Sequence, residues 1–520
     1  MTVDPGMASD GAVAKLRSYT TEVSASSRRW LVFIGLMLGL LLSTLDQTIV
    51  ATALPRIVGE LGGLDRFAWV VTAYMLALSV ATPLCGRLGD LLGSKRVFVV
   101  AVLLFLIGSA LCGAAGSMTL LIVFRVVQGI GAGGLVVSVF SLIGQLFEPA
   151  ERAKYQGYST SVFAVASVAG PLAGGLITDG LGWRWTFYVN LPIGAAALLV
   201  VGVFLRLPKP VGRPRIDYAG AALLGGAAVC IALLTACAGT RYSWGSPIIL
   251  GLLAGTVVLL ALWVFAEKRA TEPMIPLSLF RNSTFNVAIA VTFLAGFTIL
   301  TCVTFLPLFL QAASGTSATS SGLLLLPMML GLVCASILSG RAIAKRGSYK
   351  WYPVVSMLVA ALAAFLFSTM NADTSLLLCG LYMVILGVGS GLSMQVFVVA
   401  VQHTAPAQHL GAATAAVIFS RLVGASFGIS VFGAVFNSRL GSDLHRYLPG
   451  AVVDKIEATS ATPQAAATLS VDLRHGLAAA YANSLSSIFL IAVPILLIGF
   501  VAALGMKNLP LDGTKPSSQR

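Results

Sequence analysis

A carboxylic acid lies inside the first long apolar segment of the chain. Asp46 belongs to the stretch LLSTLDQTIVATALP, residues 41–55, within an apolar run that begins at Trp30. An ionised carboxylate in hydrocarbon is costly, so an acid at this depth needs a cationic partner, a proton or a water-filled cavity. Among the 19 acidic residues, it is the only one that we place in the interior of such a run. Asp46 is therefore a candidate proton- or cation-binding residue; the alternative is a salt bridge that only joins two helices.

A basic residue in the fourth apolar run is the candidate partner of this acid. If the first run crosses outward, Asp46 lies about 12 Å from its outer end. If the fourth run crosses inward, Arg125 lies about 10 Å from its outer end, at a matching depth. We therefore expect Arg125 to keep Asp46 deprotonated when the site is open. Protonation of Asp46 would then free Arg125 for other acceptors.

Aromatic residues near the same depth offer surfaces for a lipophilic cation, which is attracted to aromatic faces. Each of them taken alone is more often lipid-facing or part of the core. Together with one methionine they are Trp69, Tyr74, Phe293, Phe297, Phe305 and Met394.

Other residue types predict no further chemistry. The seven cysteines fall in or beside apolar runs without metal-ligand spacing, and the four histidines, which we place in loops, receive no role. We expect no metal, no cofactor and, without a P-loop, no drive by ATP. An enzyme would need clustered His, Asp and Glu at one membrane face, and a channel would need rings of charge; neither pattern is found.

The composition is that of a polytopic membrane protein. The 520 residues are 57% hydrophobic and 10% charged, whereas a soluble domain carries roughly 25% charged residues. We therefore predict an all-α membrane protein with 14 spanning helices. The runs are 30–54, 67–86, 96–115, 118–146, 158–178, 186–206, 217–238, 247–266, 284–310, 321–342, 351–369, 375–401, 411–436 and 485–506.

The basic residues are distributed unevenly between the two sides of these runs. Of the 33 Lys and Arg, 23 lie on the side that holds both termini, 8 lie on the other side, and Arg125 and Arg421 lie within runs. The positive-inside rule puts both termini in the cytoplasm. The net charge of +14 therefore indicates orientation in a bilayer and not nucleic-acid binding. Residues 1–29 lack an apolar core and a cleavage site, so we predict a cytoplasmic tail.

The chain repeats a short glycine-rich segment. GRLGDLLGSKR, residues 86–96, follows the second run, and GRAIAKRGSYK, residues 340–350, follows the tenth. We predict two six-helix halves, 30–206 and 284–506, with two helices inserted at 217–266 and a C-terminal tail at 507–520. The polar loop 437–484 would lie outside and has no assigned function.

Residues 86–96, the loop motif below, combine turn formers with charge. Gly86 and Gly93 permit a tight turn between two helices. Asp90 can cap a helix N-terminus and pair with a cation, and Lys95 keeps the turn in the cytoplasm. In the second copy Ala344 takes the place of Asp90, so only the first half keeps the acid.

These segments resemble motifs of the major facilitator superfamily. LIVFRVVQGIGAGG, residues 121–134, resembles the fourth-helix motif, and GYSTSVFAVASVAGPLAGG, residues 157–175, resembles the fifth-helix motif of antiporters. Residues 45–55 and WRWTFYVNLPIG, residues 183–194, are similar to signatures of the 14-span drug:proton antiporters. Three positions depart from the family pattern, at Leu91, Ser94 and Ala166.

The resemblance implies a major facilitator fold and a proton-coupled antiporter, a multidrug efflux transporter in the cytoplasmic (inner) membrane. It would export lipophilic, cationic drugs by alternating access, and we expect a monomer that is not an enzyme. An alternative on the same fold is export of an endogenous metabolite, a lipid or a self-made antibiotic. The predicted proton- and substrate-binding residues are Asp46, Tyr74, Arg125 and Gln128. The predicted gating residues are Gly86, Asp90, Gly93, Lys95, Gly170, Pro171, Gly174, Gly175 and Arg421.

The sequence alone does not decide the role of the fifth-helix glycines or that of Arg421. Glycines along the fifth helix allow close approach of a neighbour, which suits a hinge but equally suits simple small-residue packing. Arg421 has either a structural or a gating role. A single acid for proton and substrate also predicts that monovalent lipophilic cations are exported better than divalent ones.

Overall fold

The computed structural model describes residues 26–62, 66–207, 217–238, 242–270, 272–314, 324–449, 471–508 and 510–511. Within these ranges the chain is helical, and the only strand-like pairing is an isolated bridge between Ala238 and Tyr242. Fourteen of the described helices are long and apolar enough to cross a membrane. The predicted all-α fold with 14 spans is therefore confirmed.

The first eight helices follow one another with short connections. They are α1 Ser26–Leu61, α2 Phe67–Leu92, α3 Ser94–Gly113, α4 Met118–Leu146, α5 Pro149–Gly180, α6 Asn190–Phe204, α7 Tyr218–Cys237 and α8 Pro247–Arg269. A helical turn, Trp185–Tyr188, precedes α6.

The last six spans include two with irregular centres. α9 comprises Ser283–Ala295, a π-helical segment Gly296–Leu300, and Thr301–Ser314. α12 comprises Leu376–Ser393 and Val396–Thr404, with a break at Met394 and Gln395. The others are α10 Leu326–Arg346, α11 Trp351–Ser368, α13 Leu410–Tyr447 and α14 Val471–Leu504.

The break in α12 differs from the continuous span predicted at 375–401. The sequence before it, LGVGSGLS, is rich in glycine and serine, which lowers helix stability. The polar loop predicted at 437–484 is also shorter, because α13 continues to Tyr447 and α14 begins at Val471. Asp443 accepts hydrogen bonds from Asn483 and Ser484, at 2.9 and 2.7 Å, which joins the two helix extensions. Residues 450–470 of that loop lie outside the described residues.

Helix pairing repeats along the chain with an offset of eight helices. In the first half α4 packs against α2 and α3, and α1 packs against α6. In the second half α12 packs against α10 and α11, and α9 packs against α14. The division into two six-helix halves stays a prediction that this pattern supports.

The helices form two compact units. Unit 1 comprises Met1–Glu148, Ala169–Tyr218 and Ala407–Ala415, and unit 2 comprises Pro149–Val168, Ala219–Pro406 and Ala416–Arg520. α5 and α13 therefore each contribute one part to unit 1 and one part to unit 2. Unit 1 contains the loop motif, and unit 2 contains its second copy.

Two local predictions need correction. Gly86 lies inside α2, and only Gly93 forms the turn to α3, with a φ of 95° that glycine adopts without strain. The histidines do not lie in loops: His403, His445 and His475 are helical, and His409 ends a short 3₁₀ turn before α13. Polar residues near span ends were assigned to loops because hydropathy marks the apolar run and not the helix itself.

Candidate functional site

The carboxylate of Asp46 is enclosed by three other side chains within unit 1. Arg125 from α4 forms an ion pair with it, Nη1 to Oδ2. Gln128, one turn further along α4, donates from Nε2 to the other carboxylate oxygen at 2.7 Å. Asn190 at the start of α6 donates to that oxygen at 3.1 Å. The structure thus brings together α1, α4 and α6 around one acid.

The guanidinium of Arg125 is held on all sides. Its Nε donates to the carbonyl of Val70 at 3.1 Å, and Nη1 also donates to Gln128 Oε1 at 2.9 Å. The ring of Tyr74 lies 4.0 Å from the guanidinium carbon, a cation–π contact. Tyr74 is fixed in turn by its hydroxyl, which donates to the Ser43 carbonyl at 3.0 Å. The predicted residues Asp46, Tyr74, Arg125 and Gln128 therefore form one cluster.

This cluster is sealed from solvent in the conformation described. Asp46 and Gln128 are 0% exposed and Arg125 is 1% exposed. With Asp46 ionised the pair is neutral; protonation would leave a buried guanidinium without its counter-charge. Removing one partner of a buried pair costs about 3–5 kcal/mol. A proton therefore reaches or leaves Asp46 only when the surrounding helices rearrange.

Asn190 is a site residue that the sequence reasoning missed. Its amide also donates to Ser109 on α3 at 3.0 Å, and Ser109 donates to the Phe187 carbonyl at 2.8 Å. Asn190 is fully buried. An amide at the start of an otherwise apolar span was the available signal, because buried amides need partners.

The aromatic part of the 183–194 signature fixes the end of α1. Trp183 donates from its indole nitrogen to Glu60 at 2.7 Å, and Arg184 forms an ion pair with the same carboxylate. Phe187 packs edge-on against Trp183 at the core of α1, α2 and α4. The signature therefore anchors α1 and positions Asn190 towards Asp46.

The loop motif contacts the start of α13 within unit 1. Asp90 accepts hydrogen bonds from the backbone N–H groups of Gly411 and Ala412, at 2.6 and 2.8 Å. This carboxylate caps the N-terminus of α13, where the helix dipole favours negative charge. Gly86 lies so close to α13 that a Cβ there would collide with the Gly411 carbonyl, at 2.7 Å. The gating role of both residues stays a prediction.

Two basic residues of the loop motif make further contacts. Lys95 donates to the carbonyls of Gly202 and Leu205 at the C-terminus of α6, at 2.9 and 2.5 Å. Arg87 lies 3.3 Å from His409, Nη1 to Nδ1, just before α13. The loop motif therefore joins the ends of α6 and α13.

The fifth helix packs closely on α1 at two of its predicted gating glycines. A Cβ at Gly170 would collide with Thr48, and one at Gly174 would collide with Thr52 and with the Ile49 carbonyl. Gly175 has no atom within 4 Å of such a position, so the structure does not bring it into this seam. Pro171 lies inside α5 between the two contact glycines.

Arg421, the remaining predicted residue, lies in unit 2 and not in the Asp46 cluster. Its Nη1 donates to the Met394 carbonyl at the break in α12, at 3.3 Å. The predicted aromatic residues Phe293 and Phe297 also lie in unit 2, with ring centroids 6.2 Å apart. Phe305 packs against Phe436 there.

Two further acids are buried in helices long enough to span a membrane, beyond the apolar runs, and the expectation that Asp46 is the only acid inside the membrane stays a prediction. Asp443 lies within the α13 span and is 7% exposed, and Glu267 lies at the end of the α8 span and is 3% exposed. Both positions were assigned to loops because they lie beyond the apolar runs. The preference for monovalent over divalent cations, which rests on a single acid, stays a prediction with it.

Comparison with known proteins agrees with this architecture. A family model of the Major Facilitator Superfamily matches residues 36–429. The multidrug transporter protein MdtP of Bacillus subtilis is 35% identical over 95% of this chain and 96% of its own length. Multidrug resistance protein 3 of the same organism is 38% identical over 80% of this chain and 81% of its own length. An uncharacterised MFS-type transporter of Mycobacterium tuberculosis is 42% identical over 93% of this chain and 70% of its own length.

Solved structures share the fold at low sequence identity. The human organic anion transporter MFSD10 has a TM-score of 0.61 at 16% identity, covering 91% of this chain and 100% of that chain. The proton:xylose symporter XylE has a TM-score of 0.59 at 13% identity, covering 91% and 96%. The family match, the relatives and the 14 spanning helices together show that this chain is a multi-pass membrane protein of the major facilitator superfamily.

Proposed function

We propose that this transporter is a proton-coupled antiporter that exports lipophilic, cationic drugs across the cytoplasmic membrane by alternating access. The observation that carries the proposal is the sealed Asp46–Arg125 pair, the one described ion pair in which both side chains are at most 1% exposed. The names of its multidrug-transporter relatives support drugs as the cargo. Both termini would be cytoplasmic, as the positive-inside count suggests.

Proton coupling follows from the charge of the cluster. With Asp46 ionised, the cluster is neutral and would tolerate a cationic substrate beside it. When a proton from outside binds Asp46, the cluster carries the charge of Arg125, which repels a bound cation. Release of the cation outside and of the proton inside would complete a cycle of antiport. The cost of the uncompensated guanidinium links protonation to the change of conformation.

Gating would use the contact between the loop motif and α13. Asp90 and Gly86 hold α2 against the start of α13, and we propose that this contact closes the cytoplasmic side. The α1–α5 seam at Gly170 and Gly174 is the proposed hinge. Alternating access requires both contacts to break or slide together.

The test is substrate-induced proton movement in everted membrane vesicles. Tetramethylrhodamine methyl ester, a lipophilic cation, is added to energised vesicles containing wild type, Asp46→Asn or Asp443→Asn at equal expression. Wild type and Asp443→Asn, a matched buried acid in unit 2, are expected to release protons on addition of the dye. Asp46→Asn is expected to release none. Proton release that persists in Asp46→Asn would reject the coupling role.

A further inference from the structure

Unit 2 contains an intramembrane cation whose environment differs from that of Arg125. Arg421 lies in α13, 11 residues after the first residue of that helix, Leu410, or about 16 Å along its axis. Its guanidinium meets α12 where that helix breaks at Met394 and Gln395. The end of α12 at Thr404 is about 15 Å from the break, a similar depth.

The charge of Arg421 has no compensating acid in the described part of the chain. An arginine stays protonated in proteins and carries five N–H donors. Among the described residues, its side chain makes one hydrogen bond, to the Met394 carbonyl, and no carboxylate lies within 4 Å. Arg125 and Arg184, in contrast, each pair with an acid. Arg421 is also partly exposed.

The break in α12 adds further donors beside this charge. The second part of α12, Val396–Thr404, follows the N-cap residue Gln395, whose side chain makes no capping hydrogen bond. The N-terminus of a half-helix inside a membrane favours negative charge. Gln395 is 3% exposed, and both polar atoms of its amide have no partner. That amide faces a cavity of about 10 Å³ lined by residues of α5, α10 and α12, so a negative group bound beside the break would draw on Arg421 and on the N-terminus of the half-helix.

The third helix at this point offers an apolar surface. The π-helical segment of α9 begins at Gly296, where a Cβ would lie 3.1 Å from the backbone nitrogen of Ala425 on α13. Phe293 and Phe297 flank that glycine, and Phe293 also contacts the ring of Phe427 on α13. π-helical segments are frequent at functional sites. Aromatic rings therefore lie on the two helices that meet beside the cation.

We propose that Arg421 and the break in α12 form an anion-binding subsite for the carboxylate of an aromatic, amphipathic substrate. This inference rests on the proposed export function and names a second class of cargo. A guanidinium binds a carboxylate through two parallel hydrogen bonds, and α9 and α13 supply the surface for the apolar part. A role limited to capping Met394 would use one donor of five, and it would not depend on the charge of the cargo.

The test compares two dyes that differ in one group. Tetramethylrhodamine carries a free carboxylate, and its methyl ester does not. Export of each is measured in vesicles with wild type, Arg421→Gln, Arg421→Lys and, as a matched control, Arg439→Gln, an exposed arginine on the same helix. In Arg421→Gln the ratio of carboxylate to ester export is expected to fall at least about tenfold. Arg421→Lys should keep part of the preference, and Arg439→Gln all of it.

The outcomes separate this inference from the proposed function. If Arg421→Gln still exports the ester and the ratio of carboxylate export to ester export equals that of wild type, the subsite is overturned and only the capping role is left. If wild type exports no ester, the proposed function is overturned. The subsite is then tested separately, by measuring through fluorescence anisotropy how tightly the carboxylate dye binds to purified wild type and to Arg421→Lys. The same binding measurement is decisive if Arg421→Gln fails to reach the membrane. Equal affinity for the two dyes in wild type would overturn the inference.

Discussion

At the scale of single residues, the charge state of one buried pair decides whether the Asp46 cluster is electrically neutral. Asp46 accepts from Arg125, Gln128 and Asn190, so its ionised form is fully satisfied. The protonated form would lose the ion pair and leave Arg125 with carbonyl, amide and ring contacts only. Such a pair is stable in one protonation state and costly in the other, which is the property that a coupling site needs.

The first prediction concerns the stability of this pair. Asp46→Asn keeps the shape of the side chain but leaves Arg125 unpaired, so the free energy of unfolding should fall by about 3–5 kcal/mol. Adding Arg125→Gln removes the orphan charge and should recover much of this loss. Thermal unfolding of the purified proteins in detergent measures both. A double variant no more stable than Asp46→Asn would contradict the pairing.

The second prediction concerns Asn190. Asn190→Leu removes two buried donated hydrogen bonds, which should cost about 1–3 kcal/mol and impair proton coupling. Asn483→Leu is the matched control, because Asn483 also donates an amide hydrogen to a buried carboxylate, that of Asp443. Asn483 itself is exposed and donates one such bond, so we expect a smaller loss of stability there, with coupling retained. Equal coupling in the two variants would argue that Asn190 has only a packing role.

At the scale of helices, the two copies of the loop motif make similar contacts with different chemistry. In the first copy Gly86 approaches α13 and Asp90 caps that helix. In the second copy a Cβ at Gly340 would collide with the Ala153 carbonyl of α5, and Arg341 donates to the Tyr158 hydroxyl at 3.2 Å. Glycine thus sets the approach of the helices in both copies, whereas a carboxylate fixes only the first.

The third prediction uses this asymmetry. Asp90→Asn keeps one acceptor oxygen but presents an amide hydrogen to the second backbone N–H, and the unpaired N–H should cost about 1–3 kcal/mol. We expect strongly reduced drug export with normal amounts of protein in the membrane. Ala344→Asp, the reciprocal change, should affect export less. The measurement is drug export by the two variants and wild type at matched expression. Export by Asp90→Asn at the wild-type rate would refute the gating role.

The fourth prediction concerns the α1–α5 seam. Gly174→Ala places a methyl group against Thr52 and against the Ile49 carbonyl, 2.9 Å away, so the two helices must separate locally. Drug export should fall because the proposed hinge is shifted. Gly180→Ala, in the same helix with no atom within 4 Å, is the control for helix propensity. Unchanged export in Gly174→Ala would leave the seam as packing without a switching role.

At the scale of the whole molecule, the distribution of charge predicts the orientation, and the pattern of helix pairing supports the predicted repeat. The basic residues concentrate on one side of the 14 spans, and the same pairing recurs eight helices later. The charge asymmetry reflects the membrane surface. The recurring helix pairing reflects the packing of small residues between helices. Two repeats with sites on discontinuous helices are typical of transporters.

The fifth prediction tests the orientation. In a background without the seven native cysteines, a cysteine at Ser460 should react with an impermeant reagent added outside intact cells. A reporter fused after Arg520 should behave as cytoplasmic. Labelling of Ser460→Cys only after permeabilisation would overturn the proposed topology with both termini inside.

Sequence alone determined the fold class, the number of spans and much of the Asp46 cluster. Long apolar runs can span a bilayer only as helices, and a charge inside such a run needs a partner at the same depth. This reasoning was sufficient for Asp46 and Arg125, because helix rise converts sequence position into depth.

Only the tertiary structure decided which side chains from distant spans meet. Asn190 reaches Asp46 because Trp183 and Arg184 anchor α1 through Glu60, a contact without periodicity in the sequence. The break in α12, the extensions of α13 and α14 and the buried Asp443 were missed for a related reason. Hydropathy marks which residues prefer lipid, whereas helix ends and buried polar contacts depend on hydrogen bonds between segments that lie far apart in the chain.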